Sequence, residues 1–216
     1  MTTSETKIVV ERAMALSESL QLLINSDDRQ YTIRNHRDPV ALMYWNIVFE
    51  HHQGLLLLLR HYYPAPAFAL LRVLQESVCR SFLTMFGTER QFEAIKKGTY
   101  QTDFAAIGQQ MDEKLGSGSI LQGRMKETIK ALHGFIHSGP QQLMRQFRAK
   151  DGGTADIISN YSDGEVCGLV NESIPPVSLM AAFTTEFLNL PVENEQALKL
   201  VHEYVQGLGI AAASSV

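Results

Sequence analysis

Five consecutive leucines, Leu55–Leu59, sit near the end of an apolar run from Pro39 to Tyr62. Trp45, Phe49, His52, Leu56 and Leu59 fall on one helical face of that run, and Tyr44, Val48, His51, Leu55 and Leu58 on the neighbouring one. At about 100° per residue, five steps pass a full turn, so the leucines go right round the cylinder. A helix of this kind needs cover on nearly every side. It is either a central helix or the seam between two copies of the chain, and a homodimer through it is expected.

The remaining sequence supplies helices to provide the cover. Ser4–Ile24 has apolar residues at helical spacing, and the turn residues Asn25-Ser26-Asp27-Asp28 end it. Pro64-Ala65-Pro66 starts a third helix that runs to Phe86 and stops at Gly87. Thr88-Glu89-Arg90-Gln91 and Ser162-Asp163-Gly164-Glu165 both have the spacing of a capping box, in which hydroxyl and carboxyl (or amide) side chains satisfy the first free amides of a helix. The first opens a short helix closed by Gly98. The second opens one to Ile174, where Pro175-Pro176 is expected to end it before a further helix, Val177–Leu190. Helices are also expected over 103–115, 120–138, 140–148 and from Pro191 to about Gly207. Ala149–Asn160, with its Asp151-Gly152-Gly153, reads as a flexible loop and 211–216 as a frayed tail. Tyr31-Thr32-Ile33 and Ile157-Ile158 are too short for ordinary strands. The expectation is one all-α domain over 1–216, a multi-helix bundle of about eight to ten helices.

Composition narrows the function classes. The chain is 45% hydrophobic and 19% charged, which suits a folded domain, and its net charge of −4 gives no global attraction for nucleic acid. Any such role must rest on a local basic face. Cys79 and Cys167 lack zinc spacing and read as reduced thiols of a cytoplasmic protein. No signal peptide is expected from the first twenty residues, and Asn46, Glu50, His51, His52 and Gln53 interrupt the most apolar window, so no membrane span is expected there. Walker A, GxGxxG, GxSxG and HExxH motifs are missing from the sequence, and no cofactor is expected.

The basic face is on the sixth helix. Lys126, Lys130, His133 and His137 recur at spacings of four, three and four and so share one stripe, which Ser138-Gly139-Pro140 terminates. Aligned like charges repel, so an anion or acidic partner facing the stripe explains it best. Arg145, and Arg72 on the third helix, would add charge for a phosphate. His137 would serve as acid or base, with His133 beside it and Glu76 orienting one of the two. The plainer reading is a solvated helix flank with a surface ladder of Arg72, Glu76 and Arg80. A third reading uses HxxxH with His51 or His52 as metal ligands, although two lysines on the stripe oppose a cation; no metal is assigned.

The last arrangement resembles the metal triad of DinB-type helical bundles in those three residues. The Arg-xxx-Glu helix around Arg72 and Glu76, followed by a histidine ending a helix at Leu132–Gly139, resembles an uncharacterised bacterial all-helical family. More distantly, Pro39–Arg148 is similar to HEPN-type domains. That resemblance implies a homodimeric helical core, and RNA binding or metal-independent RNA cleavage in a toxin–antitoxin or phage-defence setting. The nearest arginine before His133 is Arg124. An inactive relative that only docks an acidic partner protein is equally implied.

Overall fold

The computed structural model describes residues 4–25, 30–136, 145, 147–149, 155–157 and 160–207, with the side chains of 133–136 and of 147–149 and 155–157 outside the description. Among the described residues there are eight helices: α1 (Ser4–Leu22), α2 (Asp38–Arg60), α3 (Pro64–Phe86), α4 (Glu89–Lys96), α5 (Phe104–Leu115), α6 (Ile120–Ile136), α7 (Asp163–Phe187) and α8 (Pro191–Gly207). The fold is an all-α bundle. A minimal antiparallel hairpin, β1 (Phe147–Ala149) with β2 (Ala155–Ile157), is set between α6 and α7, with Arg148 opposite Asp156.

Local chemistry fixes most of the boundaries. Both capping boxes form: Thr88 Oγ1 accepts from the Gln91 amide, and Ser162 Oγ from the Glu165 amide. Pro64 and Pro191 each stand first in a helix, where a missing N–H costs nothing. Gly116 closes α5 at a φ of 65°, the left-handed conformation that glycine adopts without a Cβ clash.

Two expectations are corrected. Pro175-Pro176 does not divide the chain, because α7 runs through both prolines as one 25-residue helix. Val170, Ile174, Val177, Met180 and Ala181 on either side of the pair are buried, so packing holds the helical path where the backbone cannot. The expected helix 140–148 ends instead in β1, since Phe147 and Arg148 are extended and paired; residues 140–144 lie outside the description. Within the single chain α2 keeps one uncovered side. Leu55, Leu56 and Leu59 are buried, but Leu57 is 48% exposed on the outer surface.

The core lies where α2, α3 and α7 meet, with Trp45, Phe49, Leu74 and Phe183 fully enclosed. Phe82, Phe86, Phe183 and Phe187 form an aromatic chain between α3 and α7, centroids 5.0–5.9 Å apart. By length and composition α7 is apolar enough to cross a membrane, yet 56% of its most apolar window is buried against the other helices. That is how a core helix of a bundle is placed.

Candidate functional site

The basic stripe begins on the exposed side of α6. Lys126 and Lys130 line a cleft of about 540 Å³ together with Gln101, Thr102 and Asp103, which lead into α5. The Asp103 carboxylate is turned onto its own helix, accepting from the amides of Ala105 and Ala106 at 3.1 Å. Neither lysine has an ion-pair partner among the described residues. Most basic groups elsewhere do: Arg80 with Glu76, Lys96 with Glu93, Lys114 with Glu186 and Arg124 with Glu172, all at 2.7–2.9 Å. His133 continues α6 one turn on, but its side chain, and the whole of His137, lie outside the described residues.

Glu76 stands behind this cleft. Its Oε1 accepts from Arg80 Nη2 at 2.7 Å and Nε at 3.1 Å, and from Thr102 Oγ1 at 3.3 Å. The partner of Glu76 is therefore Arg80 and not Arg72, as expected for a carboxylate placed four residues N-terminal to its cation. Arg72 is half-buried on α3 and makes no ion pair among the described residues. Arg80 also reaches the Tyr100 carbonyl at 3.4 Å and lies against the Tyr44 hydroxyl, whose pKa burial raises. Thr102, which lines the cleft with Lys126 and Lys130, ties it to Glu76 behind.

Arg145 is elsewhere. It donates to Glu165 Oε1 at 2.7 and 2.8 Å and lies 5.7 Å from the centroid of the Tyr161 ring. It lines a second cavity with Thr128, Ala131 and Leu132 of α6, which are half a turn from Lys126 and Lys130. The structure puts the two lysines on one cleft and Arg145 on another. Burial pushes the Glu165 carboxyl up, but hydrogen bonds from Ser162 and Arg145 outweigh it and hold the group below its usual range.

The histidines of α2 have structural partners. His52 is fully buried, with Nδ1 3.0 Å from Ser17 Oγ of α1 and Nε2 3.0 Å from Ser173 Oγ of α7. Both ring nitrogens are committed, so His52 has no lone pair left for a metal. His51 Nδ1 pairs with Ser77 Oγ at 3.2 Å. Among the described residues no three His, Cys, Asp or Glu side chains converge as a metal site would require. The Cys79 thiol is buried and pushed up by burial and by the charge of Glu76, which leaves it unreactive.

Several polar residues that the sequence pattern did not single out close helix ends. Arg37 donates to the Thr84 and Gly87 carbonyls at the end of α3 and to Glu89 at 2.8 Å. Arg34 donates to the Phe187 carbonyl at the end of α7 at 2.7 Å and to Asp38, which is buried. The available signal was the density of Arg34-Asn35-His36-Arg37 just before a helix start.

A family described as "Family of unknown function (DUF6988)" matches residues 45–173, more than half of the chain. The chain belongs to this family. The DUF6988 match runs from Trp45 in α2 to Ser173 in α7, so it takes in Glu76, the Lys126–Lys130 cleft, Arg145 and one of the two serines that hold His52. Ser17 and α8 lie outside the DUF6988 region. Neither the curated proteins nor the solved structures contain a match to the chain.

Proposed function

We propose that this DUF6988 chain grips the phosphate backbone of RNA at the Lys126–Lys130 cleft, in the manner of a HEPN-like helical domain in a bacterial toxin–antitoxin or defence system. The supporting observation is that two lysines one turn apart flank an open cleft without carboxylate partners, in a chain whose other bases are mostly paired. Two ammonium groups at that spacing suit adjacent phosphates, and Thr102 adds a hydroxyl at the rim. His133 and His137 continue the stripe in sequence. His137 would act as the metal-independent acid or base on a ribose 2′-hydroxyl, and Glu76 and Arg80 would brace the cleft from behind. The protein works in the cytoplasm as a homodimer.

Fluorescence anisotropy with a labelled single-stranded RNA tests the binding step. The double variant Lys126→Glu/Lys130→Glu should weaken binding at least about tenfold and flatten the log–log salt slope by roughly 1.4, two contacts at about 0.7 each. Unchanged affinity overturns the reading. Cleavage is then compared for wild type and His137→Ala in chelator; if neither cuts while binding persists, the chain is a binding module. Capture of an acidic protein partner that depends on Lys130, with no RNA affinity, would replace RNA as the ligand.

A further inference from the structure

The lysine cleft has an apolar side as well as a charged one. Ile129 lines it next to Lys130 on α6, and the start of α5 contributes Phe104 and Ala105. All three are half-buried, and Phe104 packs on the core while also lining the cleft, whose volume of about 540 Å³ is that of a small-ligand pocket. Phosphate gains nothing from such a lining. The face of a nucleobase does, because stacking on an aromatic or apolar side chain holds any base by its flat surface. Gln101 lies at the same opening, exposed, and its carboxamide has no hydrogen-bond partner among the described residues. A carboxamide both donates and accepts, as the edge of an unpaired base requires.

Resting on the RNA reading above, we propose that the cleft receives one unpaired nucleotide, with its base against Phe104 and Ile129, its edge at Gln101 and its flanking phosphates on Lys126 and Lys130. The ligand class is single-stranded RNA. A duplex presents phosphates to the lysines too, but keeps its bases stacked within its own helix and out of reach of Phe104. The charged side of the cleft sets how steeply salt weakens binding, and the apolar side sets which polyanion is preferred.

Fluorescence anisotropy on the full chain compares three ligands: a short labelled RNA strand free of internal pairing, the same strand with abasic ribose at its central positions, and the strand annealed to its complement. The abasic strand carries the same phosphates and lacks only the bases. The intact strand should bind at least about fivefold tighter than either of the others. Phe104→Leu keeps an apolar side chain on the core but offers no ring, so it should remove the advantage over the abasic strand and leave the salt slope unchanged, while Phe104→Tyr should keep that advantage. If Phe104→Leu lowers the melting temperature, Gln101→Ala at the exposed rim takes its place, and should weaken the intact strand about threefold or more without affecting the abasic one. Lysine-dependent affinity that is equal for intact and abasic strands, or for strand and duplex, or a preference that survives Phe104→Leu in a folded protein, overturns this inference and leaves the backbone grip standing. A lack of RNA affinity, or affinity that Lys126→Glu/Lys130→Glu does not change, overturns both.

Discussion

His52 and Ser173 share a hydrogen bond whose direction is fixed by a third group. Ser173 Oγ donates its one proton to the Val170 carbonyl at 2.7 Å, so toward His52 it can only accept, and Nε2 must carry the imidazole proton. Nδ1 then accepts from Ser17, and a single ordered relay crosses from α1 through α2 to α7.

Burial drives the pKa of His52 down from 6.5 to about 3, so the folded protein holds it neutral. The unfolded chain takes up a proton below pH 6.5 that the native state refuses. This contribution to stability is therefore complete above pH 6.5 and is lost on acidification, at up to about 1.4 kcal/mol per pH unit between roughly pH 6 and 3. Urea unfolding of wild type and His52→Leu at pH 7, 5 and 4 should show the slope in the first and a smaller one in the second. Parallel curves would refute it.

Asp112 is buried at the end of α5 and accepts from Ser117 Oγ at 2.6 Å and from the first amides of α6, Leu121 at 3.0 Å and Gln122 at 2.9 Å. Burial raises its carboxyl pKa, yet those three donors outweigh burial and keep it low. Asp112→Ala should cost about 2 kcal/mol by leaving helix amides unpaired, and Asp112→Asn less. The stabilisation is present above about pH 4 and declines as pH falls through the lower native pKa. Thermal melts of the three proteins at pH 7 and 3 measure both effects.

Met43, Ile47, Leu57 and Val73 form exposed apolar surface on α2 and α3. If that surface is the dimer seam, light scattering should give twice 24.2 kDa for wild type and 24.2 kDa for Leu57→Glu, with little change in melting temperature because Leu57 is half-exposed. A soluble Leu57→Glu dimer would place the seam elsewhere.

Pro175→Ala returns an N–H to a helix that lacks one. It should raise stability by roughly 1–3 kcal/mol, read as a shift in the urea midpoint, since the helix already passes through the position. A lowered midpoint would mean that the ring's packing outweighs the missing bond.

The sequence pattern was sufficient wherever a local rule decides: both capping boxes, the prolines that open α3 and α8, and the glycine that closes α5. It misled where tertiary contact overrides a local rule, as at Pro175-Pro176, because burial of Ile174 and Val177 is invisible to propensity. Lys126 and Lys130 could be put on one flank from spacing, since both lie on a single helix. The position of Arg145 could not, since no shared helical periodicity ties it to α6. The three-residue strands of the hairpin were too short to show alternation.

Fastening of α7 also bears on how the chain is made. Thr6 bonds Asp163 at its start, His52 bonds Ser173 in its middle and Arg34 bonds the Phe187 carbonyl at its end, spans of 157, 121 and 153 residues. On the ribosome α1 and α2 emerge far ahead of the residues that satisfy them. The buried His52 of α2 and the exposed Arg34 that precedes it must wait, still hydrated, until α7 has been synthesised. The bundle can close only once α7 has emerged, and a chain released before residue 187 would leave at least one of these three bonds unmade.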